Sequence, residues 1–223
     1  MSYGVTFPLL RKAAGAHWPD YTEHAFVAGL GDGTLPRVAY LRYLVQDYLY
    51  LIQYGRAWAL AVTMADTLED MRACAKTVQS LIGTEIHLHV QTCAAAGISE
   101  AALFASEEKL ETIAYTRFVP DAGHSGDFLD LLMALAPCAF GYAEIGARLG
   151  AAPHAATYAD WIGNYSGDSF QDSCQRIGAL VDRAVAQRLG SNPESHPRWP
   201  GLCARYTTAT RLESAFWQMG LTG

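Results

Sequence analysis

The sequence has no long run of basic residues. Among its 223 residues, 16 are Lys or Arg and 22 are Asp or Glu, which gives a formal net charge of −6. Nucleic-acid-binding domains concentrate positive charge on one surface. We therefore expect a protein with no nucleic-acid partner, whose mild acidity favours solubility.

Signals for membranes and export are also missing. We find no uninterrupted apolar run long enough to cross a bilayer, and we predict no membrane association. The N-terminus lacks a charged start followed by an apolar block and a small-residue cleavage site, so export is not expected.

The cysteines do not form a pattern that is typical of disulfides or cysteine zinc sites. Their number is odd, and no two of them have the Cys-x-x-Cys spacing. Reduced thiols in the cytoplasm are therefore expected. The five are Cys74, Cys93, Cys138, Cys174 and Cys203.

Alternation of apolar and polar residues, which is typical of β-strands, persists nowhere, and helical periodicity runs nearly throughout. With 51% hydrophobic residues, the sequence predicts one all-α domain, residues 1–223, with a substantial core. The predicted helices cover residues 7–14, 22–30, about 34–65, 67–97, a short segment after Ser99, 106–115, a segment that carries Cys138, 153–164, 168–190 and 202–219. Thr34, Thr67, Ser106 and Ser125 are the predicted N-terminal caps of the helices that follow them. Residues 120–126 and 191–200 are predicted loops.

Cys138 and Tyr142 lie one helical turn apart, in an apolar run that begins near Phe128. A cysteine on an apolar helix is usually a small buried hydrophobe, whereas a reactive thiol needs a particular environment. Pro137, directly before the thiol, removes one backbone hydrogen bond and should bend the helix. The bend is either a tolerated kink or a means of aiming a side chain into a cavity.

Asp47 is a carboxylate within an apolar, aromatic helix, and a buried acid needs polar partners. Tyr50 and Tyr54 share a face with Asp47 and Tyr43, because they are three or four residues apart. Asp47 is either bonded to a neighbouring helix or accepts two N–H groups from a ligand held between the tyrosines. The sequence leaves both alternatives open.

Glu85 and His89 also share a helix face. They lack the Glu-x-x-His spacing of di-iron bundles, and no His-Glu-x-x-His zinc motif is present. We interpret the two as a structural pair and predict no metal site. Tyr165 stands at the tip of a helix–turn–helix junction, where it either lines a cleft or plugs the core.

Glu213 shares a helix face with Phe216 and Trp217. A carboxyl group against aromatic surface has its charged form disfavoured and can hold a proton near neutral pH, which suits a general acid. The alternative is a surface glutamate on the polar side of the helix.

Together these motifs resemble the TenA family (thiaminase II, aminopyrimidine aminohydrolase), and the resemblance spans nearly the whole chain. It is carried by Gly29–Pro36, Gln46–Leu51, Glu85 with His89, Pro137-Cys138, Tyr142, Glu144–Gly146, Trp161–Asp168 and Glu213 with Phe216-Trp217. The resemblance implies an all-helical, haem-oxygenase-like fold and usually a homotetramer. We expect no cofactor.

The resemblance also implies a reaction, the hydrolysis of 4-amino-5-aminomethyl-2-methylpyrimidine to the hydroxymethylpyrimidine and ammonia. This reaction salvages the pyrimidine half of degraded thiamin, and thiamin itself can be cleaved at the same methylene. By position, the family roles fall on Cys138 as nucleophile, Glu213 as acid/base, Asp47 as the carboxylate that binds the amidine-like edge, and Tyr50, Tyr142, Tyr165 and Tyr115 as pocket phenols.

The sequence departs from the resemblance at Gly141, Ala143 and Leu49, where relatives often carry aromatic residues. We expect local packing or pocket volume, and with it substrate preference, to differ there. A regulatory or ligand-binding protein of the same fold is the alternative function, although no basic recognition helix is found. A haem-type cofactor would need a histidine on an early helix, and His17 and His24 are interpreted as surface residues.

Overall fold

The structure is a computed structural model that describes residues 3–223. No β-strand occurs among those residues, so the predicted all-α class is confirmed. The helices are α1 (Phe7–Ala14), α2 (His17–Thr22), α3 (Ala25–Asp32), α4 (Arg37–Met64), α5 (Leu68–Ser80), α6 (Ile86–Ala95), α7 (Glu100–Phe104), α8 (Leu110–Ser125), α9 (Phe128–Ala151), α10 (Ala159–Ser166), α11 (Asp168–Leu189) and α12 (Trp199–Thr222). A π-helical turn, Leu81–Glu85, joins α5 to α6, and 3₁₀ turns cover Ala156–Tyr158 and Pro193–Ser195.

Helix α9 is the central helix of the fold. It contacts α4, α8, α10, α11 and α12. By length and composition it could also cross a membrane, although Asp130 and Glu144 interrupt its apolar run, which is therefore not of membrane length. However, 83% of its most apolar segment is buried inside the protein. A helix that is apolar on nearly every side is expected in the core of a bundle of this size.

A capping box fixes the start of α9. The Asp127 carboxylate accepts hydrogen bonds from the N–H groups of Leu129 and Asp130, and the Asp130 carboxylate accepts one from the N–H of Asp127. The guanidinium of Arg198 bonds both carboxylates. Ser125, the predicted cap, is instead the last residue of α8, because the aspartate pair satisfies the first N–H groups of α9.

Helix α8 is longer than predicted. It runs through Pro120 to Ser125, so the predicted loop over 120–126 is wrong, and the cost of one missing backbone hydrogen bond is outweighed by packing against α4, α9 and α12. Its cap is not Ser106 either. The helix begins after Lys109, whose N–H donates a 2.9 Å hydrogen bond to the side chain of Gln46.

Thr34 does not cap α4. Its hydroxyl donates to the Asp32 carboxylate at 2.6 Å, and α4 begins after Pro36. The helix predicted over 22–30 begins only at Ala25, after the His24 ring accepts a hydrogen bond from the N–H of Phe26, and Thr22 instead ends α2, which was not predicted. The helix predicted from residue 153 starts only at Ala159, after a 3₁₀ turn, and α12 starts a few residues earlier than predicted.

The predicted helix over 67–97 contains a π-helical turn. Thr67 caps α5 as predicted, because its hydroxyl accepts a hydrogen bond from the N–H of Asp70. The N–H of Ile86 bonds to the carbonyl of Leu81, five residues earlier. Such turns contain one residue more than an α-turn and often lie at functional sites. Gly97, with φ of 82°, follows the end of α6.

Candidate active site

Cys138 lies at an internal cavity of about 50 Å³. It is the one residue between Leu131 and Ala143 that is partly accessible, while all the others are buried. The cavity is bounded by α4, α5, the π-helical turn, α9 and α11, and its polar lining includes Glu85 and Tyr142. The thiol is therefore presented to a space rather than packed as a core hydrophobe.

Glu213 approaches the thiol from α12. It is only 2% exposed, so the alternative of a surface glutamate is wrong. Burial raises the pKa of Glu213 to about 8, although the hydroxyls of Tyr115 and Tyr21 and the Cys138 thiol favour its charged form. Tyr115 donates a 2.8 Å hydrogen bond to Oε1. The Tyr21 hydroxyl acts from nearby but completes no hydrogen bond of ordinary geometry.

The thiol of Cys138 is protonated at rest. Burial raises its pKa well above the usual range, and the negative charges of Glu213 and Glu85 raise it further. The Tyr50 hydroxyl lowers this pKa, yet it completes no hydrogen bond of ordinary geometry. Because the thiolate is the reactive form, a base must take the proton when Cys138 attacks.

Asp47 lies in a network of buried polar groups. Its Oδ2 accepts a 3.0 Å hydrogen bond from the Tyr43 hydroxyl and lies 2.6 Å from Nε2 of His89. Nδ1 of His89 lies 2.9 Å from the backbone carbonyl of Glu85. Oδ1 of Asp47 has no hydrogen-bond partner within residues 3–223. One carboxylate oxygen is thus held by the protein and the other is available.

Two groups of aromatic rings lie near the thiol. In the first, the ring centroid of Tyr142 lies 4.9 Å from that of Tyr165, which lies 4.5 Å from Trp161. In the second, the rings of Tyr50 and Tyr115 lie 4.8 Å apart. Flat, tilted faces of this kind are suited to holding a planar ring.

The side chains of Glu85 and His89 form no hydrogen bond with each other. The predicted pair exists only as the contact between the His89 ring and the backbone carbonyl of Glu85. The Glu85 carboxyl instead accepts a 3.0 Å hydrogen bond from the Tyr165 hydroxyl. Burial raises the pKa of Glu85 to about 7, the positive charge of His89 opposes that rise, and the charge of Asp47 adds to it. Tyr165 is thus a buried side chain, and its hydroxyl reaches the cavity through its hydrogen bond to Glu85.

The structure brings the seven residues singled out from the sequence into two adjoining groups. The first contains Cys138, Glu213, Tyr50 and Tyr115, and the second contains Asp47, Tyr142 and Tyr165. Tyr142 joins them, since it lines the cavity beside Cys138 while its hydroxyl lies 3.4 Å from that of Tyr43.

Three further aromatic side chains belong to the site. Tyr43 precedes Asp47 by four residues, and helix spacing predicts its place on the Asp47 face, although it was assigned no role of its own. Trp161 donates a 3.3 Å hydrogen bond to the Tyr43 hydroxyl. Tyr21 reaches Glu213 from α2, and no sequence pattern joins two residues so far apart in the chain.

The small residues of α9 make room for side chains from other helices. A Cβ at Gly141 would lie 2.0 Å from the Tyr21 ring, and one at Gly146 would lie 2.4 Å from the Tyr165 backbone. The departure at Gly141 therefore admits Tyr21 rather than enlarging the cavity. Ala143 is buried, and Leu49 is not part of the cavity lining.

The described part of the chain contains no group of three or more His, Cys, Asp or Glu side chains that could hold a metal ion. All five cysteines are free.

Known proteins resemble this chain over nearly its full length. The profile of the TENA/THI-4/PQQC family matches residues 11–223. A protein of Haemophilus influenzae described as uncharacterized is 40% identical over 219 residues, which cover 95% of this chain and 97% of that one. An aminopyrimidine aminohydrolase of Halalkalibacterium halodurans is 33% identical over 213 residues, or 94% and 92% of the two chains.

A solved structure is similar as well. The crystal structure of a TenA family transcription regulator from a Silicibacter species has 53% sequence identity and a TM-score of 0.97, and the match covers 99% of this chain and 98% of that one. TenA homologues have the helical haem-oxygenase-like fold, so that prediction is confirmed.

Proposed function

The chain belongs to the TENA/THI-4/PQQC family, and from this membership and the geometry around Cys138 we propose that it is a hydrolase of thiamin salvage. Its substrate is an aminopyrimidine, 4-amino-5-aminomethyl-2-methylpyrimidine, and its products are the hydroxymethylpyrimidine and ammonia. Thiamin is a second substrate, cleaved at the same methylene. The name of the 33% identical relative supports this substrate class.

One observation carries the proposal. Cys138 is the accessible residue in an otherwise buried stretch of α9, and a carboxyl group whose pKa is raised to about 8 lies beside it. A thiol is better suited than a hydroxyl to add to an electron-poor ring. A neighbouring carboxyl group that is protonated near neutral pH can supply a proton to that ring.

Asp47 and the phenols bind and orient the ring. The amidine-like edge of an aminopyrimidine presents an N–H donor beside a ring nitrogen, which a carboxylate can meet with its available oxygen. Tyr142 and Tyr165 stack against one face of the ring, and Tyr50 and Tyr115 close the other side. Because the cavity has room for only a few water molecules, side chains at its mouth move apart when the pyrimidine enters.

Glu213 then moves the protons. As the Cys138 sulfur bonds to the ring carbon beside the aminomethyl-bearing carbon, Glu213 gives its proton to the ring nitrogen and receives the proton of the thiol. The electron pair of the ring amine is then drawn into the ring, and an exocyclic methylene forms. The bond from the methylene carbon to the amine nitrogen breaks, and ammonia leaves. Water adds to the resulting exocyclic methylene and gives up one proton to the released ammonia. As the sulfur leaves, Glu213 gives its proton to the thiolate and takes back the proton of the ring nitrogen, which restores the aromatic ring and releases the product.

Release of ammonia from the aminomethylpyrimidine by the purified protein tests the proposal. We expect Cys138→Ala to abolish it and Cys203→Ala, which changes a partly exposed thiol on α12 outside the cavity, to leave it unchanged. Full activity in Cys138→Ala would refute the mechanism. No ammonia from the unmodified protein would refute the substrate.

We also infer a cytoplasmic homotetramer in which residues 1–223 form one domain. The five free thiols fit a reducing compartment. Phe104 and Leu110, 70% and 79% exposed, are apolar side chains that a subunit interface would cover. Light scattering should give the mass of four chains, and the mass of a monomer would contradict this inference.

A regulatory role is the second candidate, because the solved structure with 53% identity is named a transcription regulator. The net charge of −6 disfavours contact with the phosphate backbone. We expect no binding to duplex DNA at physiological salt. Binding that weakens steeply as salt increases would support regulation instead.

A further inference from the structure

Glu85 is the last residue of the π-helical turn and lines the cavity. Thr77 and Leu81 line the cavity from the preceding turns of the same helix. Glu85 follows Leu81 by four residues and lies on the same face, whereas Thr84 is exposed and is not part of the lining.

The Glu85 carboxyl is the one carboxyl group that lines the cavity. The other walls are largely apolar, with Leu51, Phe170 and Ile177 among them. The carboxyl accepts a hydrogen bond from Tyr165, and its charge acts on the Cys138 thiol. Glu85 therefore faces the same space as the nucleophile.

No cationic side chain in residues 3–223 forms an ion pair with Glu85. His89, one turn away, directs Nε2 to Asp47 and Nδ1 to the Glu85 backbone, so its positive charge lowers the pKa of Glu85 without a hydrogen bond to that carboxyl group. A carboxylate in a largely apolar cavity is costly unless it is paired. No cationic side chain is among the residues that line the cavity, and a ligand can supply that charge.

We propose that Glu85 is a specificity-determining residue that binds the protonated aminomethyl group of the substrate. This inference rests on the proposed function, since the aminopyrimidine carries that group on the carbon next to the site of thiol addition. A primary alkylamine is an ammonium ion at neutral pH, with N–H donors for a carboxylate. The hydroxymethyl product is neutral and offers only a hydroxyl, so Glu85 favours the substrate over the product.

Glu85 and Glu213 therefore have different tasks. Glu213 is almost fully buried and is held by Tyr115, and it moves protons at the ring. Glu85 lines the cavity and is partly accessible, and it recognises the charge of the leaving group. Removing the Glu85 charge should change which ligand binds, whereas removing that of Glu213 should change the rate.

Calorimetric titration of the full chain with two pyrimidines tests the proposal. The parent protein carries Cys138→Ser to prevent turnover, and the probes are the cationic aminomethylpyrimidine and the neutral hydroxymethylpyrimidine. We expect Glu85→Gln to weaken binding of the cationic probe by about tenfold or more, because a hydrogen bond between charged groups is lost. Binding of the neutral probe should change by no more than about twofold.

Two further variants provide controls. Glu107→Gln neutralises an exposed loop glutamate and should leave both affinities unchanged. Glu85→Asp keeps the charge, so it should retain a preference for the cationic probe even if both ligands bind more weakly. Circular dichroism shows whether each variant is folded.

Three results would overturn the proposal: equal losses for both probes in Glu85→Gln, no loss for the cationic probe, or no preference in Glu85→Asp. The function is tested separately by ammonia release from the unmodified protein. If the parent binds the probes selectively and no ammonia forms, the proposed reaction is wrong while the recognition stands. If the parent binds neither probe, both proposals are refuted.

Discussion

Nε2 of His89 lies 2.6 Å from Oδ2 of Asp47, and the two residues are 42 positions apart in the chain. The other ring nitrogen lies 2.9 Å from a backbone carbonyl, which can only accept a hydrogen bond. Both nitrogens thus face acceptors, as in an imidazolium ion beside a carboxylate. His89 thereby positions the carboxylate that we assign to the pyrimidine edge.

Replacing His89 by Gln should destabilise the protein most at acid to neutral pH. Burial lowers the pKa of His89, but the hydrogen bond and charge of Asp47 raise it more, so the pKa is raised above 6.5 overall. The stabilisation is fully present below the unfolded pKa and is lost as the pH rises through the folded one. We expect a loss of about 3 kcal/mol at pH 6.

Denaturant unfolding of the unmodified protein and of the variant, from pH 6 upwards, measures this effect. The difference between their unfolding free energies reports on the contact between His89 and Asp47. The difference in unfolding free energy should shrink as the pH rises. A difference that is constant with pH would mean that His89 contributes packing and not charge.

Glu213→Gln should make the protein less active and, at alkaline pH, more stable. The pKa of Glu213 is raised from 4.5 to about 8, so the folded state holds a proton that the unfolded state releases. Stability is therefore lost as the pH rises from about 4.5 to 8, by up to about 5 kcal/mol. Gln keeps the shape of the carboxyl group and has no charge to bury.

Thermal unfolding at pH 5 and pH 8 checks the stability of Glu213→Gln, and ammonia release checks its activity. Activity should fall by about 10² or more, as for loss of a general acid. If the stability of the variant depends on pH as strongly as that of the unmodified protein, a group other than Glu213 causes the pH dependence.

Tyr115→Phe should shift the pH dependence of activity to higher pH. The Tyr115 hydroxyl bonds Oε1 of Glu213 and favours its charged form, so its loss should raise the pKa of Glu213 further. The decline of kcat on the alkaline side of its pH profile should move to higher pH. An unchanged decline together with a lower kcat would indicate that Tyr115 acts through packing alone.

Gly141→Ala should disturb the site through Tyr21. The added Cβ would overlap the Tyr21 ring, which lies beside Glu213. We expect a loss of about 1–3 kcal/mol in unfolding free energy and a reduced kcat. The matched control is Gly163→Ala on α10, where no atom lies within 4 Å, and it should be neutral or stabilising by up to about 1 kcal/mol.

Equal effects of Ala at Gly141 and at Gly163 on stability and kcat would show that helix propensity, and not contact with Tyr21, decides the result. Chemical denaturation and steady-state kinetics on both variants separate the two explanations.

Much of the helical pattern could be predicted because it depends on local spacing and local caps. Thr67, Ser99 and Gly97 mark helix ends through bonds or backbone angles of nearby residues. The predicted helix boundaries are wrong where contacts with residues distant in the chain determine where a helix begins or ends. Pro120 stays within α8 because other helices pack on it, and the first turn of α8 bonds Gln46 of α4, so Ser106 is not used as the cap.

The sequence by itself determined which residues share a helix face, because a side chain recurs on that face every three or four positions. It thereby placed Tyr142 beside Cys138 and Tyr43 beside Asp47. Only the tertiary structure decided the partners across helices, where His89 bonds Asp47 and Glu85 bonds Tyr165. The reason is that buried polar groups must find partners in three dimensions, and spacing along one helix does not specify which residues of other helices these partners are.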